Sequence, residues 1–275
     1  LIIHLRFFFY PTFCAGFAMD LSSTQWLMLA CAAFMAGYID SIVGGGGLIQ
    51  VPAIFSIFPR EAPATLLGTS KLAGIIGTGS AAWRYARSTR VPWRTALPAA
   101  CAAFFCAFWG AWSVTRIPPE TVRPILPFVL MAVFVYTLAK KDLGSVHAPK
   151  FDGRRELFMA LLMGGAIGFY DGLFGPGTGS FLLFMFVRFF GFDFLSGSVS
   201  AKIVNVACNA AALLWFGADG HVWWAVGAVM AVFNLAGSQI GSRMALKHGT
   251  GFVRRLFLVV VSALIVKSMY DAFFR

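Results

Sequence analysis

Charge is scarce in this chain, and acid scarcer than base. Only 12% of the 275 residues are charged, about half of the roughly 25% usual in soluble domains. Asp and Glu number 11 against 22 Lys and Arg, a formal net charge of +11. Cysteine is limited to Cys14, Cys31, Cys101, Cys106 and Cys208, with no CxxC spacing. These read as small buried apolar residues rather than a disulfide framework or redox motif. The histidines His4, His147, His221 and His248 form no HxxxH or HExxH pair, so the sequence supports neither a metal centre nor a bis-histidine haem. No cofactor is expected. Gly44 to Gly47 lacks the Gly-Lys-Ser/Thr that completes a phosphate-binding loop, and Gly68-Thr69-Ser70-Lys71 carries the right letters in the wrong order. No nucleophile stands beside a base, so the chain does not read as an enzyme.

Apolar sequence is what the chain has in excess. Hydrophobic residues make up 59%, and the mean hydropathy is +0.78. No soluble core could absorb so much, so lipid is the solvent for most of it. At roughly 20 residues per span, the length allows about ten short-looped helices in one membrane domain. The basic residues gather at the ends of apolar segments, where they set orientation and meet anionic head groups. That distribution argues against nucleic acid as a partner. Residues 1–18 are interrupted by Arg6, Pro11 and Cys14. They read as a leader or as translated sequence ahead of a start at Met19.

An internal duplication organises the rest. A shift of 131 residues places Asp40 on Asp171 without a gap. It also places Gly37 on Gly168, Gly44 on Gly175, Lys71 on Lys202, Trp93 on Trp224 and Gly110 on Gly241. The expected organisation is a first transmembrane repeat over 19–139, a basic linker over 140–156 and a second repeat over 157–275. Each repeat offers five apolar segments: 26–43, 48–58, 64–83, 93–114 and 122–139, then 157–174, 180–190, 194–216, 222–246 and 252–270. The second of each set is short enough for a half-helix. The linker carries Lys140, Lys141, Lys150, Arg154 and Arg155, and Arg84, Arg87, Arg90 and Arg94 lie between segments three and four of the first repeat. Both regions are expected to be cytoplasmic. The equivalent connection in the second repeat, 217–221, has no Lys or Arg and is expected outside. The Arg116 to Arg123 connection, also expected outside, is a mild exception. The fold class is therefore all-α and polytopic, with two inverted-topology repeats and broken helices at the glycine-rich motifs.

Those motifs hold the chemistry. Gly37-Tyr38-Ile39-Asp40-Ser41-Ile42-Val43-Gly44-Gly45-Gly46-Gly47 and Gly168-Phe169-Tyr170-Asp171-Gly172-Leu173-Phe174-Gly175-Pro176-Gly177-Thr178-Gly179-Ser180 each set a carboxylate just before a backbone break. Ionisable groups at membrane depth usually face a cavity or pathway, and broken backbone survives there only under cover of protein or water. The half-helices that follow begin with free N–H groups able to bind an anion. The third segments add Ser70 and Lys71, with Gly74 and Thr78 on the lysine's helical face, and Lys202 with Asn205 and Asn209 at the same spacing. The candidate transport residues are Asp40, Ser41, Gly45, Gly46, Gly47, Ser70, Lys71, Thr78, Asp171, Gly177, Thr178, Gly179, Ser180, Lys202, Asn205 and Asn209. The acids would neutralise the lysines in an empty site or bind coupling protons. Structural roles compete for the same residues. The acids can pin the broken helices, the lysines can snorkel, the amides can join helices, and the glycines can serve close packing. Ala103, Ala107 and Gly110, like Asn234, Ser238 and Gly241, read as small-residue packing faces.

Both glycine-rich motifs, with Thr69-Ser70-Lys71 and Ala201-Lys202 after them, resemble the paired signatures of the TauE/SafE sulfite-exporter family. The likeness runs over nearly the whole chain from Met19. It implies a bacterial inner-membrane permease for small sulfur-containing anions such as sulfite, sulfoacetate or an organosulfonate. The expected function is secondary transport by alternating access, coupled to protons. An anion channel and, less favoured, an integral-membrane redox subunit are the alternatives. The expected partners are a small anion and the lipid bilayer, with a homodimer as an option.

Overall fold

The computed structural model describes residues 21–118 and 148–248, with positions 120–122, 125 and 128 between them. The stretch 1–18, residues 140–147 of the linker, most of the fifth segment of the first repeat and all of that of the second lie outside the described residues. Helix α1, Ser23–Val43, opens with a capping box in which Ser22 and Gln25 satisfy each other's backbone N–H groups. It stops at Gly44, whose φ of 79° lies in the left-handed region that favours glycine. Helix α2, Gly47–Ile57, has 11 residues, about 16 Å at 1.5 Å per residue and only half of a bilayer core. Helix α3, Pro63–Ser88, takes proline at its first turn, where no N–H bond is lost. Helix α4 is Trp93–Arg116.

The order then recurs. Helix α5, Gly153–Leu173, ends at the second break. Helix α6, Thr178–Arg188, again has 11 residues. Helix α7, Phe194–Ala218, is capped by the Asp193 carboxylate, which accepts from the N–H groups of Leu195 (2.9 Å) and Ser196 (3.0 Å). Helix α8 is Trp224–His248. Helices α1, α4, α5, α7 and α8 are long and apolar enough to cross a membrane. Helix α3 has the length, but its buried Gly68, Thr69, Ser70, Lys71 and Thr78 give it an interior rather than a lipid-facing character. Outward-facing Leu27, Met28, Phe105, Trp109, Leu162 and Val232 present the apolar surface that a bilayer requires.

The helix is longer than expected at one place that bore on topology. Because α3 runs on to Ser88, Arg84 and Arg87 are helical rather than in a connection, and Arg94 belongs to the first turn of α4. The helix can extend because Arg87 lies along it and Arg84 donates to the Gln239 side-chain carbonyl on α8. The Arg87 guanidinium covers the Trp83 ring at 3.9 Å. Of the four arginines only Arg90 remains in the connection.

Small residues set the helix crossings. A Cβ at Gly37 would stand 2.0 Å from the Asn234 carbonyl oxygen, and one at Gly168 would stand 2.5 Å from that of Ala103. A Cβ at Gly241 would meet the Tyr38 carbonyl oxygen at 2.4 Å, and one at Gly110 that of Phe169 at 2.2 Å. Each pair maps onto the other under the 131-residue shift. The first helix of each half thus packs backbone to backbone on the fourth helix of the other half, the close approach that small residues allow in membranes. The two breaks also meet: a Cβ on Gly44 would fall 2.3 Å from the Gly179 carbonyl carbon, and the Ser180 hydroxyl donates to the Val43 carbonyl at 3.0 Å.

Candidate functional site

A helix that stops inside protein leaves its last carbonyls without partners and a partial negative charge at its end. Helices α1 and α5 stop in this way at the two breaks, and each receives a lysine from the opposite half. The Lys71 ammonium, on α3, donates to the Asp171 carbonyl at 2.8 Å. The Lys202 ammonium, on α7, donates to the Asp40 carbonyl at 2.8 Å. These bonds are again equivalent under the 131-residue shift. Both lysines are buried, 6% and 4% exposed. The snorkelling alternative therefore does not describe them here.

The carboxylates differ where the carbonyls agree. Asp171, 1% exposed, also forms an ion pair with Lys71 through its carboxylate. The Asp40 carboxylate turns instead toward α3 and α2. It accepts from the Thr78 hydroxyl at 2.8 Å and from the Gly46 N–H at 3.4 Å. Asp40 thus has a capping contact and a side-chain contact at once. Among the described residues no carboxylate pairs with Lys202. Its remaining neighbour is the Tyr85 ring, 5.3 Å from the ammonium.

These groups line two spaces. The larger encloses about 490 Å³, its open side included. From the first motif it takes Asp40, Gly46 and Gly47, and from the third segments Ser70, Lys71, Thr78, Asn205 and Asn209, with Asp171 across from them. The smaller cell, about 220 Å³ with its open side included, takes Asp40, Gly179, Lys202 and Asn205, together with Gly44 and Ser198. Asp40 and Asn205 are common to both. Ser41, Gly45, Gly177, Thr178 and Ser180 line neither. Ser41 donates to the Tyr38 carbonyl (2.8 Å) and Thr178 to the Gly175 carbonyl (2.8 Å), contacts that hold the breaks in shape.

Sequence reasoning missed two amides in the larger cavity. Gln50, on α2, donates from one amide nitrogen to the carbonyl and hydroxyl of Ser70, both at 2.9 Å, and accepts from the Asn234 amide at 2.8 Å. Asn234 lines the cavity as well as sitting on the packing face against Gly37. Gln50 is the one amide of its half-helix, and that isolation was the available signal. Gly74 lines the cavity in front of Asn209. The Asn209 amide donates to the Asn205 side-chain carbonyl at 3.3 Å within α7. Among the described residues no group of three His, Cys, Asp or Glu is placed to hold a metal ion. The cavity can instead offer a buried ammonium, amides, hydroxyls and two carboxylates.

Known proteins resemble this chain over most of its length. The family described as Sulfite exporter TauE/SafE matches residues 29–268. A protein named "Probable membrane transporter protein ORF9" from Sinorhizobium sp is 38% identical over 252 residues, covering 92% of this chain and 95% of that protein. "Probable membrane transporter protein YfcA" from Escherichia coli (strain K12) is 34% identical over 248 residues, covering 89% and 90%. A "Probable membrane transporter protein" from Haemophilus influenzae is 31% identical over 257 residues, covering 92% and 98%. No solved structure matches the chain significantly.

Proposed function

The chain belongs to the TauE/SafE sulfite exporter family of membrane transporters, and from that premise we propose that it is a proton-coupled permease of the bacterial inner membrane for sulfite or a small organosulfonate such as sulfoacetate. The observation that carries this reading is the buried Lys71–Asp171 ion pair in a cavity walled by amides and hydroxyls. An isolated buried ammonium is costly, so an empty site needs its own counter-charge. Asp171 supplies it. An arriving oxyanion takes the carboxylate's place on Lys71, and the displaced buried carboxylate is stable only as the acid. For a monoanion such as hydrogensulfite, one proton then enters with one negative charge, and the loaded cavity carries the same net charge as the empty one. The two halves, 19–139 and 157–275 about the linker 140–156, would run in opposite directions through the bilayer and rock about this centre. The reciprocal packing of α1 on α8 and of α5 on α4 supports that arrangement.

Purified protein in liposomes should take up [35S]sulfite, accelerate counter-exchange and accumulate label under an inward proton gradient. Lys71→Met should abolish accumulation. Flux in that variant equal to wild type would reject the site. Flux without counter-exchange would mark a channel instead.

A further inference from the structure

The smaller cell has the composition of a binding site in its own right. Lys202 lies wholly inside the fold with a carbonyl, and no carboxylate, as its hydrogen-bond acceptor. One turn earlier on α7 stands Ser198, 2% exposed, whose hydroxyl has no hydrogen-bond partner among the described residues. The spacing of four puts both on one helical face, and both line the cell with Asn205. A buried donor left unmade costs about 1–3 kcal/mol, and a buried cation without a counter-charge costs more. Both costs fall on the same small space. The Asp40 carboxylate acts on Lys202 through space but makes no hydrogen bond to it or to Ser198, because its oxygens are held by Thr78 and Gly46.

We propose that the Lys202–Ser198–Asn205 cell is a second anion site, separate from the Lys71 cavity, that takes a small inorganic anion with hydrogen-bond acceptors. Lys202 supplies the charge, and Ser198 and Asn205 supply neutral donors. The anion is the hydrogen-bonded anionic partner that Lys202 lacks, while the Asp171 carboxylate serves Lys71. This inference rests on the anion-permease reading for its biological use, but not for its binding chemistry. The same chemistry is offered by the transported sulfite and by resident chloride.

Equilibrium dialysis of the full chain in lipid nanodiscs, against [35S]sulfite and separately against [36Cl]chloride, tests it. The double variant Lys71→Met/Asp171→Asn removes the ion pair of the larger cavity while keeping side-chain bulk. It should still bind one equivalent of at least one of the two anions. Adding Ser198→Ala should weaken that binding about tenfold or more, the loss of a hydrogen bond to a charged group. Binding of sulfite alone makes the cell a second station for the substrate, and binding of chloride alone makes it a resident ion site. Should the double variant not fold, Ser198→Ala in the otherwise native chain reads the same loss from one of two equivalents. No binding by the folded double variant in either arm, or unchanged affinities after Ser198→Ala, would overturn the proposal. Wild-type protein that moves no sulfite in liposomes while this binding persists would instead reject the permease reading alone.

Discussion

Lys71 and Lys202 hold equivalent places 131 residues apart, and each caps the broken helix of the other half, yet only Lys71 has a carboxylate. Asp171 gives its lysine both carbonyl and carboxylate, whereas Asp40 gives only a carbonyl and lends its carboxylate to Thr78. The backbone scheme is therefore duplicated while the side-chain chemistry is not. The positions around the lysines show where the divergence lies. Under the 131-residue shift Ser70 corresponds to Ala201, Gly74 to Asn205, Thr78 to Asn209, Leu67 to Ser198 and Gln50 to Phe181. Both halves lend polar groups to the larger cavity, whereas the smaller cell draws Ser198, Lys202 and Asn205 from the second half and Asp40 from the first.

The largest effect should come from breaking the complete pair. Lys71→Met leaves Asp171 buried without its cation and should lower stability by about 3–5 kcal/mol. Lys71→Met/Asp171→Asn should recover most of that loss without recovering transport. Unfolding midpoints in detergent read the first part and liposome flux the second. Lys202, which has no carboxylate to strand, should cost less under the same change. Equal costs would erase the distinction between the two lysines.

The frame should prove symmetric where the lining is not. Gly37→Val and Gly168→Val each drive a side chain into a backbone carbonyl of the opposite half. Each should destabilise by about 3 kcal/mol, the upper end of overpacking, and by similar amounts. Tolerance at one and collapse at the other would break the equivalence of the two crossings. Thr78→Val tests the lining. It removes the hydroxyl on the Asp40 carboxylate and should slow sulfite uptake about tenfold, as expected for a hydrogen bond to a charged group. The smallest effect is expected at Gly79, where an added Cβ meets nothing within 4 Å. Gly79→Ala should raise stability by up to about 1 kcal/mol and leave flux unchanged.

Much of the frame was legible because it depends on local signals. Apolar runs marked the spans, glycine and carboxylate together marked the breaks, and a constant shift tied the halves. The cross-pairing was not legible. The shift makes Lys71 equivalent to Lys202, but it is silent on whether each lysine meets the acid of its own half or of the other. That choice is made by α3 and α7 reaching across to the ends of α5 and α1. Nor could the sequence reveal that Asp40 turns its carboxylate away from Lys202, since rotamers respond to neighbours such as Thr78. Ser198 was within reach. Extending the Lys202, Asn205 and Asn209 stripe upward by four residues lands on it. It was hidden among Ser196 and Ser200, whose hydroxyls have ordinary partners. Arg84 and Arg87 were placed in a connection because charge suggests a helix end, whereas their alkyl stems let α3 continue.

Proton movement with the anion tests the exchange of Asp171 for substrate most directly. Vesicles with a pH-sensitive dye inside should acidify as external sulfite is added to wild-type protein. Asp171→Asn should still exchange labelled sulfite across the membrane while losing both the acidification and the accumulation driven by a pH gradient. An Asp171→Asn protein that moves protons and accumulates sulfite as the wild type does would contradict the account.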